Sequence, residues 1–342
     1  MILIISDPQD ATVHFVLPHL ERFGAEVLWW NEDRFPAESR LTLQVRGGLP
    51  RALLHTGGAT HDLADVTAVW VRRPGHARTA DSVREPTHRA WAEHVSTYFL
   101  RGLTEILPAR RWMPGPVSRA AVADNKLVNL TRAAELGFTV PDTLVTNDPD
   151  ELVPAWETAG GRLISKTLTC HDVRVDGERH HMHTVPVRRR DLAGRARIRH
   201  APVILQPDVP QRVALRVTVV AGEVFAAETD SHAARTGGQD RRHHQDAAVA
   251  CREHRLPDEV RRRCAALVES LGLSYGAIDL ALTPDGDYVF LEIDVNGRWG
   301  WVETLTGMPI AHAVADWLSA DEPARGSAAP TAPDQPAKVV TP

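Results

Sequence analysis

The stretch FLEIDVNGRWGWVE, residues 290–303, places oxygen-bearing side chains at alternate positions of an apolar run. Successive side chains of a β-strand point to opposite faces, so Glu292, Asp294 and Asn296 are expected to share one face of a strand. The apolar residues between them are expected to share the other face; these are Leu291, Ile293 and Val295. A protein core needs only the apolar set, so the polar set indicates chemistry.

The residues before this stretch predict that it forms the second arm of a β-hairpin. Asp285-Gly286 is a favoured two-residue turn between two apolar runs, and pairing outward from it places Asp279 opposite Glu292. Two carboxylates that face each other across a sheet destabilise it unless a cation lies between them. Acid and amide oxygens without His or Cys suit a hard cation such as Mg²⁺. A solvated outer face of the hairpin is the alternative.

The composition is that of an ordinary globular protein. A chain of 342 residues is expected to hold about two to three domains, and its net charge of −5 does not indicate a general nucleic-acid or membrane-surface binder. Three cysteines without paired spacing favour a reducing compartment. The first ten residues lack the basic region of a signal peptide, and no apolar run reaches membrane-spanning length, so the expected location is the cytoplasm.

Composition shifts along the chain predict three folded units and a tail. Strand and helix signals alternate up to a proline-rich segment, RWMPGPVS, which predicts an α/β domain over residues 1–112. The next unit, 113–200, opens with a helix that Asp124 is expected to cap and Gly137 to end. A third unit is expected at 201–320, and residues 321–342, rich in Pro and Ala, are expected to be disordered.

Three cations stand at positions where a charge is expensive without a partner. Lys126 begins a helix, Lys166 lies within the apolar strand LISKTL, and Arg216 lies within the strand LRVTVV. A half-buried cation needs an anion, although a long side chain that reaches solvent is the other interpretation. Cations together with paired acids are typical of a nucleoside triphosphate site, and no GxxxxGK[ST] loop is present.

Several segments together resemble the ATP-grasp peptide maturases that make graspetides, the microviridin type of ribosomal peptide. These segments are AVWVRRP, NKLVNLTRAAELGFTVPDTLVTNDP, HTVPV, LRVTVVAGEVFAAE and FLEIDVNGRWGWVE. The resemblance runs from Met1 to about Leu318. It implies a mixed α/β and α+β architecture, in which an N-terminal α/β pre-ATP-grasp domain precedes a two-lobed ATP-grasp fold. It also implies an enzyme that uses ATP and Mg²⁺ to join acidic side chains of a core peptide to Thr, Ser or Lys side chains, through an acyl phosphate.

The resemblance assigns roles to individual residues. It implies that nucleotide is bound by Lys126, Lys166, Gln206 and Arg216, with Lys166 and Arg216 also acting in catalysis. It implies that metal is bound by Asp279, Glu292, Asp294 and Asn296. Weaker substrate contacts are assigned to Arg72, Arg73, Asp240, Arg242 and Arg298. For Arg72 and Arg73, the end of a strand is the alternative to the peptide channel.

The sequence departs from the family pattern at four places. Pro207 stands where a Gln-Glu pair is common, Ala214 where an acid is usual, Asp294 where Asn is usual, and QDRR at 239–242 where Asp-Trp-Arg is frequent. A ligase that adds free amino acids to a carboxyl terminus would use the same nucleotide site. A catalytically silent module that binds peptide or nucleotide is the third possibility, against which the intact cations and acids argue. The expected partner is a precursor peptide with a leader and an acidic core, and the oligomeric state, a homodimer included, is open.

Weaker signals carry two interpretations each. The basic run RRRDLAGRARIRH would attract an acidic peptide or nucleic acid, or simply be a solvated face, and the lack of interleaved aromatic residues disfavours nucleic acid. The histidine-rich pieces ERHHMH and RRHHQD lack acid or Cys partners at metal-ligand spacing, so a transition-metal site is not expected. Trp299 and Trp301 are expected to pack against the last helix.

Overall fold

The computed structural model describes residues 1–72, 75–169, 172–175, 178–181, 184–230 and 251–320. The disordered tail expected at 321–342 lies outside these residues, as do Arg73, Asp240 and Arg242. Among the described residues, none of the helices combines the length and apolar character that a membrane span requires.

The N-terminal part is built on a parallel sheet, as its alternating sequence pattern predicts. Its strands are β1 (Ile2–Ile5), β2 (Val27–Trp30), β3 (Arg40–Arg46), β4 (Leu49–Thr56), β5 (Ala59–Asp62), β6 (Ala68–Val71) and β7 (Arg111–Met113). Four of them form a parallel sheet in the order β2-β1-β6-β7, and β3 to β5 form a separate antiparallel sheet. Helix α1 (Ala11–Arg22) packs on one face of the parallel sheet, and α2 (Pro86–Ile106) packs on the other.

The central part combines short helices with a four-stranded sheet. Its helices are α3 (Val117–Ala123), α4 (Lys126–Glu135) and α5 (Leu152–Thr158). Its strands are β8 (Leu144–Thr146), β9 (Leu163–Lys166), β10 (Asp172–Val175), β11 (Glu178–His181), β12 (Val185–Val187) and β13 (Val203–Pro207). The sheet order is β12-β9-β13-β8, while β10 and β11 form a hairpin of their own. The basic run forms a 3-10 helix, Arg189–His200, with no buried residue.

The C-terminal part is an antiparallel sheet of five strands between two cores. Its strands are β14 (Val213–Val220), β15 (Glu223–Asp230), β16 (Cys251–Glu253), β17 (Tyr275–Leu282) and β18 (Tyr288–Asp294), in the order β16-β15-β14-β17-β18. Its helices are α6 (Asp258–Ser270), α7 (Gly300–Thr306) and α8 (Ile310–Ser319). Helices α4 and α6 cover one face, and α1, α7 and α8 cover part of the other. Trp299 is buried in this second core, as predicted, whereas Trp301 is exposed.

The helix that carries Lys126 has a different cap from the one the sequence suggested. Asn125 is the N-cap of α4, and its side chain accepts a hydrogen bond from the amide of Leu127 at 3.0 Å. Asp124 instead ends α3, because the chain turns between the two helices one residue later than expected. Gly137 adopts a positive φ of 81° just after the helix, as predicted from its position.

The hairpin of β17 and β18 pairs Asp279 with Glu292 as predicted, although its turn is longer than predicted. The amide of Thr283 donates to the carbonyl of Asp287 at 2.9 Å, which leaves a turn of three residues, 284–286, and shifts the register by one. A bulge between Asp279 and Leu280 shifts it back, because Leu280 pairs with Phe290 and leaves an extra residue before Glu292.

Because of the bulge, the side chains of β18 do not alternate between the two faces as predicted. Phe290, Ile293 and Val295 lie in the core against α4 and α6, whereas Leu291, expected there, is half-buried and is not among the described residues of that core. The strand ends at Asp294, so Asn296 lies in a turn and does not share the strand face as predicted. The extra residue allows both a full apolar face and an outward Glu292.

Phe290→Ala is expected to lower the free energy of unfolding by about 3–5 kcal/mol, because it leaves a cavity beside Phe138 in the core. Leu291→Ala should cost about 1 kcal/mol or less, since the bulge residue is only half-buried. Urea unfolding of both variants measures the two values. A larger loss of unfolding free energy for Leu291→Ala than for Phe290→Ala would indicate that the strand alternates regularly and would argue against the bulge.

Candidate active site

Three neighbouring strands place one charged residue each in a single row. Arg216 of β14 pairs directly with Asp279 of β17, and Asp279 pairs directly with Glu292 of β18. Directly paired residues lie on the same face of a sheet, so the three side chains project together. The sheet register therefore converts a spacing of 76 residues, from 216 to 292, into one contiguous charged surface.

Arg216 and Asp279 form the inner pair of this row. Their Nε and Oδ1 atoms are 3.2 Å apart, and their side chains are 16 % and 10 % exposed. Burial lowers the pKa of Arg216, but the charges of Asp279, Asp294 and other neighbours outweigh it and raise the pKa, so the guanidinium stays charged. Its Nη1 atom is buried and donates no hydrogen bond. A buried, charged donor without a partner is costly, which makes this nitrogen a candidate donor to an anionic oxygen.

Glu292 is the point where the central part meets the C-terminal sheet. Its Oε2 atom lies 3.3 Å from Nζ of Lys126, and the two side chains are 35 % and 17 % exposed. Burial raises the pKa of Glu292, but the charges of Lys126, Lys166 and Arg216 and a hydrogen bond from Lys126 together bring it below the ordinary value. The three cations predicted to bind nucleotide therefore act on one carboxylate, from α4, β9 and β14.

The two lysines are unusual in this chain. Lysine occurs at only three positions, 126, 166 and 338, although lysine and arginine together number 39. Arginine thus supplies almost all of the positive charge, and two of the three lysines lie at half-buried positions near Glu292. A compact ammonium group suits a single phosphate oxygen, which is a signal that sequence reasoning could have used.

Asp294 and Asp124 add further negative charge beside Glu292. Asp294 is exposed, and its Oδ1 atom accepts a hydrogen bond from the amide of Asn296 at 2.8 Å. Burial, with the charges of Asp294 and Glu292, raises the pKa of Asp124 in spite of the neighbouring Lys126. The sequence pattern predicted Asp124 only as a helix cap, and no local signal indicated its place beside Glu292.

The predicted metal ligands do not form a ready-made metal site. In the part of the chain that the structure describes, no three His, Cys, Asp or Glu side chains are grouped to hold a metal ion. Asp279 instead pairs with Arg216, and Glu292 pairs with Lys126. The chemistry of the donors still fits Mg²⁺: all are oxygens, and the Oδ1 atom of Asn296 is buried without a hydrogen-bond partner.

Of the two histidine-rich pieces, the structure describes only part of one. RRHHQD lies outside the described residues, and the described positions of ERHHMH give only a backbone strand.

Gln206 lies inside the central sheet. Its side chain is 1 % exposed, and its Nε2 atom donates to Oγ1 of Thr143 at 2.8 Å. Its Oε1 atom is buried and has no hydrogen-bond partner. The role assigned to it, at the start of the adenine-binding segment, stays a prediction.

The predicted substrate residues that are described occupy contrasting surroundings. Arg298 is exposed. Arg72 is 2 % exposed, and its guanidinium donates to the carboxylate of Asp10, to Oγ1 of Thr12 and to the carbonyl of Asn296. These contacts favour the strand-end alternative for Arg72 over the peptide channel.

Comparison with known proteins gives the following similarities. Residues 1–118 match the family model of the MvdD pre-ATP grasp domain. Among solved structures, the chain is 30% identical to macrocyclase MdnB from Microcystis aeruginosa MRC, with a TM-score of 0.77, covering 93% of this chain and 98% of MdnB. It is 25% identical to macrocyclase MdnC of the same organism bound with precursor peptide MdnA, with a TM-score of 0.83 and coverages of 94% and 99%. The search of curated proteins gives no match.

A third solved structure shares most of its length with this chain. It is a RiPP-associated ATP-grasp ligase from Chryseobacterium gregarium, in complex with ADP and a leader and core peptide. The identity is 26% and the TM-score 0.86, with 95% of this chain and 98% of that chain covered.

Lys126→Met is expected to raise the pKa of Glu292, because it removes the strongest attraction that keeps this carboxylate ionised. A carboxylate with a lowered pKa stabilises the fold above its unfolded-state pKa, near 4.5, and loses that contribution as pH falls through the folded-state pKa. The variant should therefore lose less stability than the parent on acidification below about pH 4.5.

Carboxyl ¹³C NMR, with the Glu292 signal assigned through Glu292→Gln, measures this pKa directly. Lys126→Arg keeps the charge and serves as the matched control, with a pKa close to that of the parent. An unchanged pKa in Lys126→Met would show that the 3.3 Å pair is not formed in solution.

Proposed function

This chain belongs to the ATP-grasp maturases of ribosomal peptides, the graspetide ligases, and on that premise we propose that the row of Arg216, Asp279 and Glu292 is its catalytic centre. The chain is an ATP-dependent, ADP-forming peptide ligase with an N-terminal pre-ATP-grasp domain and an ATP-grasp fold, as its sequence resemblance implied. The observation that carries the proposed site is the buried, charged Arg216 with a free Nη1 atom, beside two carboxylates in one row.

The cations of the site hold the phosphate groups in this proposal. Lys126 and Lys166 bind phosphate oxygens from the central part, and Arg216 binds the terminal phosphate from the C-terminal sheet. Because these groups are fixed by helix and strand backbones, they need little rearrangement when charge develops on the transferred group. Gln206 lies at the end of β13, where the adenine is expected.

The acids of the site hold the metal in this proposal. Asp279, Glu292, Asp294 and Asn296 supply oxygen ligands, and Mg²⁺ neutralises charge on the phosphates when it is bound. The cations that now pair with Asp279 and Glu292 would turn to the phosphates when nucleotide enters. Before nucleotide binds, these ion pairs thus keep the cations and the carboxylates charged and close together.

The substrate in this proposal is a precursor peptide with a leader and an acidic core. MdnC is bound with a precursor peptide, and the Chryseobacterium ligase is in complex with a leader and a core peptide. A core carboxylate would bond to the terminal phosphorus of ATP, with ADP leaving. A hydroxyl or amine of the same peptide would then attack the acyl carbon, so that phosphate leaves and a proton passes to solvent. The requirement for ATP places this reaction in the cytoplasm.

Incubation with the cognate peptide and Mg·ATP should remove the mass of one water per cross-link, with one ADP and one phosphate formed each time. Lys166→Ala should lower the rate by about 10²–10³-fold, because a phosphate contact made in the transition state is lost. Mass spectrometry and ADP release measure both. Arg34→Ala, an exposed cation in the N-terminal part, is the control that should keep the parent rate.

A gain of amino-acid mass would instead identify the ligase that extends a carboxyl terminus. ATP binding without turnover of any peptide would identify the silent module. Near-normal turnover in Lys166→Ala would instead favour the other interpretation of Lys166, a long side chain that reaches solvent.

Asp294→Asn should raise the Mg²⁺ concentration needed for half-maximal turnover moderately, and Asp294→Ala should raise it more, because Asn keeps an oxygen ligand and Ala does not. Turnover across a Mg²⁺ titration separates the two variants. Glu157→Ala removes an exposed acid of α5 and should leave the requirement unchanged. If both Asp294 variants match the parent at every concentration, Asp294 is a solvated residue and no ligand.

A further inference from the structure

The turn after β18 is held from outside by side chains that bind its backbone. The carbonyl of Asn296 accepts a hydrogen bond from Nη1 of Arg72 at 3.0 Å. The next carbonyl, of Gly297, accepts one from the hydroxyl of Tyr275 at 2.6 Å. The amide of Asn296 donates to Asp294 at 2.8 Å. Three successive contacts therefore fix the path of residues 294–297.

Arg72 reaches this turn as a pre-oriented group. Its Nε atom lies 3.3 Å from Oδ2 of Asp10, and its Nη2 atom donates to Oγ1 of Thr12 at 3.0 Å. The carboxylate of Asp10 is itself held by the hydroxyl of Ser6 at 3.1 Å and by the amide of Thr12 at 2.9 Å. Arg72 is 2 % exposed, so the N-terminal domain presents the Nη1 atom of Arg72 in one fixed direction.

The position of the turn sets the surroundings of two groups of the proposed site. The Oδ1 atom of Asn296 is buried and has no hydrogen-bond partner. A Cβ atom at Gly297 would lie 3.3 Å from Nη1 of Arg216 and 2.4 Å from Cβ of Ala277. The turn backbone therefore packs directly beside the free nitrogen of Arg216, and a small displacement of the turn would change both groups.

We propose that Arg72 is a positioning residue for metal-nucleotide binding. It would hold residues 294–297 so that Asp294 and Asn296 can serve as metal ligands and Gly297 stays against Arg216. The inference rests on the proposed function, because the turn matters in this way only if that site binds Mg²⁺ with nucleotide. The N-terminal domain would thus complete a site whose proposed metal ligands all belong to the C-terminal part.

A purely structural role is the competing explanation, and the chain offers a matched control for it. Arg111, also of the N-terminal domain, donates from Nη1 to the carbonyl of Trp317 at 2.7 Å. This contact likewise joins the N-terminal domain to the C-terminal part through a guanidinium and a backbone carbonyl. Its acceptor, Trp317, belongs to helix α8 and not to the turn.

The test measures binding of ADP to the full chain by calorimetry, with and without Mg²⁺. Arg72→Lys and Arg72→Met should weaken binding of ADP in the presence of Mg²⁺ by about tenfold or more, as loss of a group that orients metal ligands usually does. Binding of ADP without Mg²⁺ should change by less than about twofold, since Lys126 and Lys166 are untouched and ADP lacks the terminal phosphate assigned to Arg216. Arg111→Lys and Arg111→Met should leave both affinities unchanged, even where they lower the melting temperature.

Tyr275→Phe keeps the inference testable if the Arg72 variants do not fold. It removes only the hydroxyl that binds the carbonyl of Gly297 and should give the same Mg²⁺-specific loss. Equal affinities in the parent and in the folded variants with Mg²⁺, or equal losses with and without it, would overturn the inference. A parent that does not bind ADP with Mg²⁺ at all would instead overturn the proposed function.

Discussion

The burial of Arg216 beside Asp279 is the constraint around which the site is arranged. Two charges removed from water lose hydration, and their attraction compensates only if the geometry is close and the remaining hydrogen-bonding groups find partners. The structure meets the first condition with a 3.2 Å contact and leaves the second open at Nη1 of Arg216. A group that is stable in its charged form yet incompletely bonded is suited to an anion that comes and goes.

The other charged groups follow from this pair. Glu292 stands beside Asp279 in the row, so it needs cations of its own, and Lys126 and Lys166 supply them from elements of the central part. Lys126 makes its contact where helix α4 packs against β18, the edge strand of the C-terminal sheet. The same electrostatic requirement therefore links the central and C-terminal parts at this point and prepares the charges that a phosphate and a metal would use.

The departures from the family pattern have a local explanation in part. Ala214 lies on the same face of β14 as Arg216, is buried, and pairs with Thr229 and Ala281. An acid there would be a second buried partner for Arg216, so its absence leaves Asp279 as the acid directly opposite the guanidinium. Pro207 ends β13 opposite Leu163, where the missing amide hydrogen is tolerated. Both departures leave the row of charges intact.

The sequence by itself determined the parallel sheet of the N-terminal part, the pairing of Asp279 with Glu292, and the set of cations and acids that meet at the candidate site. These follow from short-range properties, namely the strand and helix periods and charges placed in apolar runs. The tertiary structure alone decided three features: the bulge that restores the pairing of β18 with β17, the position of Asp124 beside Glu292 and Asp294, and the contacts of the Arg72 side chain. Arg72 binds a carbonyl 224 residues away. No local pattern specifies such a contact, because it depends on how separately formed parts pack together.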